Sequence, residues 1–495
     1  MRKASLAFGA GLTLVVLAGC EASQPFETEA LPSQSQASES FAALIEQARG
    51  AVQEGDFAAS GRLLEKAREA EPDNPALWVE IARTRFVAGE HIQALEAADR
   101  AVELGPAFAP ALLLRAQFVR DGYGLTDSLV WFEAAVEADP NDPLALAEYA
   151  ATLGDAGYYT EMLGVTRALA DIEPKNPKVF YLKAVMAARA GKPVLAQSLI
   201  ERSGLARDGV PSAILLDAVL DLLERNYDSA AQSLERLAQS QPGNQRVADL
   251  LARALWLGGR DPELVERFGD QALHASGSPY LAMLVARALE RQGDRANAAP
   301  YLEKAYQGRG SEWVALPGQP GLPEPTFQIR RLVEEARVQA AHRRARQLKG
   351  RFPGSSDIAV LAGDASLASG RLQDALGAYT MAASVRRPWP LTRKLAAAYR
   401  KFGDPQAADA LLARHLVSEP RNTEALFLNA TRAARFEDWL RVAVLLDNAI
   451  TLGAGNDPAL LNVRAQAARA LGEQEEAMRF ERLTWELHPG FPPQS

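Results

Sequence analysis

The chain has 495 residues, 48% of them hydrophobic, and its 54 Lys and Arg against 62 Asp and Glu give a net charge of −8. That apolar content suffices for a continuous core, and the acidic balance argues against nucleic acid as the main partner, because such binding rests on neutralising phosphates with Lys and Arg. Cys20 is the only cysteine, so the chain can form no internal disulfide.

The first element is N-terminal. Met1-Arg2-Lys3 precedes an apolar stretch from Ala4 to Gly19, which reads as a signal peptide over residues 1–19. The stretch is short for a membrane span, which needs about 20 residues. It ends Leu17-Ala18-Gly19-Cys20. Small residues ahead of a cysteine resemble the lipobox of bacterial lipoproteins. That resemblance implies cleavage before Cys20, a diacylglyceryl group on its thiol and an acylated new amino terminus. Several acyl chains anchor stably where one does not. In that family Asp after the cysteine favours inner-membrane retention. Here Glu21 follows, so the implied address is the outer membrane of a Gram-negative bacterium, facing the periplasm. Residues 20–38 hold Ser, Gln, Pro and Glu with little that is apolar. They are expected to be a flexible tether, spanning about 25 Å as a coil.

From Glu39 the chain becomes periodic. Alanine stands at positions 48, 82, 116, 150, 184, 218, 252 and 286, always 34 residues apart. The same step finds Gly55, Gly89, Gly157, Gly191, Gly259 and Gly293, and Pro72, Pro106, Pro140, Pro174 and Pro242. Asp208, Ser276 and Gly310 stand where proline is missing. A fixed step of this length is the mark of a stacked helix–turn–helix unit. The small residue lets the second helix approach the first. Glycine accepts positive φ at a helix C-terminus, and proline cannot continue the second helix.

After Gly310 the step stretches. Residues 311–325 contain Leu316-Pro317-Gly318-Gln319-Pro320-Gly321-Leu322-Pro323, which cannot be helical. Residues 326–352 then read as one long basic helix carrying Arg330, Arg331, Arg337, Arg343, Arg344, Arg346, Lys349 and Arg351. Two uses of this patch stand open: contact with an acidic polysaccharide, lipopolysaccharide or protein surface, or neutralisation of neighbouring helices. The period returns at Ala362, Ala396 and Ala430 and runs to Pro489. The expected arrangement is an N-terminal array over 39–310, a seam, and a C-terminal array over 353–489, about 12 or 13 units in all.

This grammar resembles the tetratricopeptide repeat (TPR) family. Trp78, Leu395-Ala396 and Tyr399 take its early positions, Ala94, Ala101, Phe132 and Ala135 its later ones, while Met162 and Thr166 depart from it. The resemblance implies an all-α, right-handed TPR-like solenoid whose first helices line a concave partner-binding channel. Projecting the repeat places Arg83, Phe86, Gln117, Arg120, Tyr181, Arg253, Trp256, Arg287 and Arg291 on that surface, with Arg400, Phe427, Arg435 and Arg469 at similar phases. Arginines among aromatics suit carboxylate-bearing ligands.

No phosphate-binding loop, nucleophile elbow or zinc-protease motif occurs in the sequence. His91, His274, His342, His415 and His488 sit at unrelated phases of the repeat, so neither metal, cofactor nor enzymatic activity is expected. The resulting reading is a membrane-anchored scaffold that gathers other proteins in envelope biogenesis or exopolysaccharide export, similar to lipoproteins that accompany exosortase systems. Alternatives are an adaptor docking peptidoglycan hydrolases or proteases, and a pilus or secretin assembly factor.

Overall fold

A computed structural model describes residues 39–241, 244–274, 277–307, 324–455 and 457–487. The signal peptide, Cys20, the tether, Pro242, Ser276, Gly310, His488 and most of the 311–325 loop fall outside these residues. The described chain is 26 α-helices in consecutive pairs, with no strand among the described residues. It is an α-solenoid of 13 hairpins, counted below from the first (Glu39–Gln53 with Phe57–Ala70) to the thirteenth (Pro458–Leu471 with Gln474–Leu487).

The second hairpin shows how the sequence builds a unit. The Asn74 side chain accepts from the Ala76 N–H at 3.0 Å, and Pro75 occupies the first turn of the helix Pro75–Val87. The cap satisfies an end donor, and proline has no N–H to satisfy there. Gly89, at φ +81°, reverses the chain, and the Glu90 N–H reaches back to the Arg85 carbonyl. The helix His91–Leu104 follows and stops before Gly105-Pro106. The same cap recurs at Asp142, Asn176 and Asp457, each followed by proline. The eight alanines of the ruler all lie in first helices and are at most 1% exposed. Each marks a place where two helices approach too closely for a longer side chain.

The turn between paired helices takes a left-handed residue even where the sequence withholds glycine. Arg225, Ala336 and Glu437 are the three non-glycine residues with positive φ among the described residues, at +64°, +57° and +57°. Each lies 34 residues from a positive-φ glycine, Gly191, Gly370 and Gly403 respectively. This corrects the expected long basic helix over 326–352. The segment is an ordinary ninth hairpin, Glu324–Glu334 with Val338–Arg351, folded about Ala336. Alanine is a strong helix former and gave no sign of the turn.

One further irregularity restores the phase. Between the twelfth and thirteenth hairpins the chain forms a π-helical turn over Ile450–Ala454, with Gly453 at φ +103°. It absorbs one extra residue, so the buried alanine of the last unit is Ala465 rather than position 464. The left-handed Gly453 breaks the helical run, and the extra residue is taken up at that break.

Hairpins 10–12 pack against hairpins 2–4, eight units earlier in the chain. The turn of hairpin 2 meets the linker before hairpin 10, where the His91 Nδ1 accepts from the Ser356 N–H at 3.1 Å and lies 2.9 Å from its Oγ. The turn of hairpin 3 meets the linkers before hairpins 11 and 12. There the Arg387 N–H donates to the Asp121 carbonyl, and the Ser418 hydroxyl donates to Asp127 at 3.2 Å. A Cβ on Gly122 would stand 2.9 Å from the Val385 carbonyl oxygen, and one on Gly124 would stand 2.5 Å from the Ser418 Cβ. The turn of hairpin 4 meets Arg421, whose guanidinium lies 5.4 Å from the Tyr159 ring centre. The last hairpin's first helix also touches both helices of hairpin 8, Pro279–Arg291 and Arg295–Gln307.

Candidate protein-docking surface

Most of the arginines projected onto the inner face serve neighbouring hairpins. Arg83 pairs with Glu80 at 3.2 Å, and the same carboxylate holds Arg49 of the preceding hairpin at 2.7 Å. Arg120 reaches Glu148 and the Thr152 hydroxyl of the next hairpin, both at 3.1 Å. Arg291 donates to the Trp256 carbonyl at 2.7 Å and lies 4.8 Å over that indole, so these two predicted residues form one unit. Burial pushes the Arg287 guanidinium below its usual range. Phe86 stacks on Phe118 and lies against His91, both at 5.0 Å. It belongs to the core side of the turn.

Tyr181 is half-buried between two apolar clusters, and burial raises its phenol. Arg253 is half-buried near Tyr280, and Gln117 is half-buried. In the second array Arg400 pairs with Asp409 at 3.5 Å and Arg469 with Glu481 at 2.6 Å. Phe427 packs on a core cluster, and Arg435 is exposed.

A different group of residues converges where the two arrays meet. Asp155, in the first helix of hairpin 4, has Arg120, Arg189, Arg246 and Arg421 around it. Asp155 is exposed on its helix; desolvation by neighbouring atoms raises its carboxyl against the pull of the four guanidinium charges. Arg189 and Arg421 both lie over Tyr159, at 5.0 and 5.4 Å. Arg246 and Arg421 line a cleft of about 340 Å³ with Leu125, Trp389, Glu419, Asn422 and Glu424. The guanidinium groups of Arg189, Arg246 and Arg421 make no hydrogen bond or ion pair within salt-bridge distance among the described residues. Arg246, Arg189 and Arg421 were not singled out from the sequence, because nothing in a linear pattern brings residue 421 to residue 155.

The histidines do not form a site. His91 and His342 are buried on separate hairpins, and burial lowers both imidazoles. His415 stacks on Trp389 at 4.8 Å, and burial with Arg387 nearby lowers it to about 4. At neutral pH its 3.5 Å approach to Glu419 is therefore a contact of a neutral ring, not an ion pair. Among the described residues no three His, Cys, Asp or Glu side chains are placed to share a metal ion. No described helix is long and apolar enough to cross a membrane.

The expected basic patch divides. Arg330 turns inward toward Asp364, and burial lowers its guanidinium. Arg331 and Arg337 share Glu335, at 2.9 and 3.4 Å. Arg343, Arg344 and Arg346 stand exposed on the second helix of the hairpin.

Comparison with known proteins agrees with this architecture. Family models described as tetratricopeptide repeat match residues 51–118 and residues 328–390. The second match crosses Ala336, as an ordinary hairpin there requires. Similar solved structures include PilW, titled a widely conserved type IV pilus biogenesis factor, at 18% identity over 43% of this chain and 98% of that one, TM-score 0.35. PilF of Pseudomonas aeruginosa matches at 20% identity over 50% of this chain and 94% of that one, TM-score 0.32. A tetratricopeptide repeat protein from Parabacteroides merdae matches at 15% identity over 59% and 97%, TM-score 0.28. No curated protein matches the chain. Tetratricopeptide repeats are present in both arrays, and such repeats mediate protein–protein interactions.

Proposed function

We propose that this solenoid is a scaffold held at the periplasmic face of the outer membrane by lipid on Cys20, gathering protein partners for envelope biogenesis or exopolysaccharide export. The observation that carries the binding half of this reading is the inter-array cleft. It presents Arg246 and Arg421, with Arg189 nearby, without ion-pair partners among the described residues. Guanidinium groups grip carboxylates in a fixed two-pronged geometry, so an acidic segment of a partner fits there better than an apolar one. The anchoring half rests on the run Leu17-Ala18-Gly19-Cys20.

Crosslinking and pull-down from envelope fractions tests the first half, comparing the native chain with an Arg246→Glu, Arg421→Glu variant. An export porin or polysaccharide synthase, recovered by the native chain and lost by the variant, is the expected result. A peptidoglycan hydrolase or protease in its place moves the function to an adaptor, and identical capture by both chains removes the cleft from binding. For the anchor, Cys20→Ser is expected to shift the protein to the soluble periplasmic fraction. Continued membrane association would count against lipid attachment.

A further inference from the structure

Hairpin 9 differs from the rest of the molecule in charge. Its described residues, 324–352, carry eight Lys and Arg against three Glu, while the remainder of the chain carries a net −13. Within it the helix Val338–Arg351 contains Arg343, Arg344, Arg346, Lys349 and Arg351 and no acidic residue. The helix buries only Ala341, His342 and Ala345, so its apolar seam is narrow and its cations point away from the core. Arg343, Arg344 and Arg346 have no hydrogen bond or ion pair among the described residues. Arg371 of the next hairpin adds to the same field, acting with Arg346 on His342, and Asp374 opposes them. At the end of the helix Phe352 is 41% exposed, with the Arg351 guanidinium 5.4 Å from its ring centre.

We propose that this helix face docks on an anionic lipid surface and fixes the orientation of the anchored scaffold; the proposal rests on the membrane anchoring put forward above. A body carrying −13 is repelled by anionic headgroups, so an anchored chain of this charge presents its one strongly basic side to them. Each cation near such a surface contributes about fivefold to the attraction. An exposed aromatic ring at the edge of a basic helix is the kind of side chain that settles at the headgroup boundary. An acidic protein would also meet the charge, and the replacement of the arginines by Lys, described below, separates the two.

The test uses the acylated chain on vesicles. Cys20 is the only native cysteine, so a dye on Gln347→Cys, an exposed position of the basic helix, reports its distance from acceptor-labelled headgroups by energy transfer. High transfer is expected on phosphatidylglycerol vesicles and low transfer on phosphatidylcholine. The difference should collapse between about 0.1 and 1 M salt, as the screening length falls from about 10 to about 3 Å.

Charge reversal at Arg343, Arg344 and Arg346 is expected to bring transfer down to the phosphatidylcholine level, with helicity by circular dichroism unchanged. Replacement of the same three by Lys should keep it, because headgroups read charge and not the guanidinium fork. Equal transfer on both lipids, survival of transfer after reversal, or its loss in the Lys variant would each overturn the proposal. The last would point to an acidic protein instead. Flotation with phosphatidylcholine vesicles reports the lipid anchor separately. If anchoring fails there, co-flotation with phosphatidylglycerol still decides the patch.

Discussion

Hairpins 1–8 and 9–13 share one period but join their neighbours differently. In the first group the interfaces are apolar, as around Leu251, Leu255, Phe268 and Leu284, and the ion pairs between hairpins use arginines that stay at least partly solvated. Arg49 and Arg291 keep 48% and 42% of their side-chain surface exposed. The second group has solvated pairs as well, such as Arg393 with Glu424, but adds two links whose cations lie in the interior. Lys394, 11% exposed, binds Asp364, which also accepts from the Tyr379 hydroxyl at 2.7 Å. Arg464, 6% exposed, makes a two-pronged pair with Asp447 at 2.8 and 3.1 Å. Apolar interfaces tolerate many neighbours, whereas a buried ion pair demands one partner in one register. The second array must also sit against the first at a fixed offset, and its interior links specify one geometry for doing so.

The largest expected effect comes from breaking that difference directly. Asp364→Ala strands the Lys394 ammonium and the Tyr379 hydroxyl, and is expected to cost about 3–5 kcal/mol in denaturant unfolding. Glu80→Ala leaves Arg49 and Arg83 free to rehydrate and should cost less than about 1 kcal/mol. Equal losses would erase the distinction between the arrays.

Next in size is the contact between them. Gly124→Val places a branched side chain at φ +128° and against Ser418, a strain of about 1–3 kcal/mol. Hydrogen exchange should rise at Ser356 and Arg387 while the hairpins themselves stay protected. If those amides keep their protection, the seam does not depend on the close approach.

A pH series sharpens the same point. The His91 Nδ1 accepts from a backbone N–H, so protonation removes the acceptor, and burial holds both His91 and His415 below the ordinary imidazole value. The unfolded chain therefore takes up protons first. Stability from these groups is complete above about 6.5, and declines as pH falls toward the value of about 4 held by His415. Around His91 the charges of Asp357 and Arg386 oppose one another. Glu419, raised by burial, works in the opposite sense, but only near the carboxylate range. Replacing His91 and His415 by Gln is expected to flatten the decline between pH 6.5 and 5; an unchanged slope would assign it to other groups.

The smallest effect concerns the turns. Arg225, Ala336 and Glu437 are exposed and left-handed, so glycine at each is expected to raise stability by up to about 1 kcal/mol in thermal melts. A loss at Ala336→Gly would mean that its methyl group contributes to packing.

The architecture was legible because its signals are local and repeated: Ala82 or Gly89 means the same thing in any hairpin. The turn at Ala336 was hidden because alanine favours helix, yet here it takes the left-handed conformation at φ +57°. The extra residue near Gly453 was equally hidden; it moves the last unit's buried alanine to Ala465, one place beyond a 34-residue step from Ala430. The cleft could not be read at all. Arg246 and Arg421 are 175 positions apart, and their meeting depends on where the second array lands on the first. The projected arginines lie in first helices, but the sequence did not show that Glu80 and Glu148 would occupy Arg83 and Arg120.

The rungs between hairpins 2–4 and 10–12 also change how the molecule answers a pull. A coil whose units touch only their immediate neighbours lengthens gradually, each interface yielding a little, as a spring does. Stitching hairpins 2 and 3 to hairpins 10 and 11 at His91, Asp121 and Asp127 braces the spring. Tension applied between the Cys20 end and the last hairpin meets those stitches in parallel, so the coil resists until they part together and only then extends. Its response to load has a threshold.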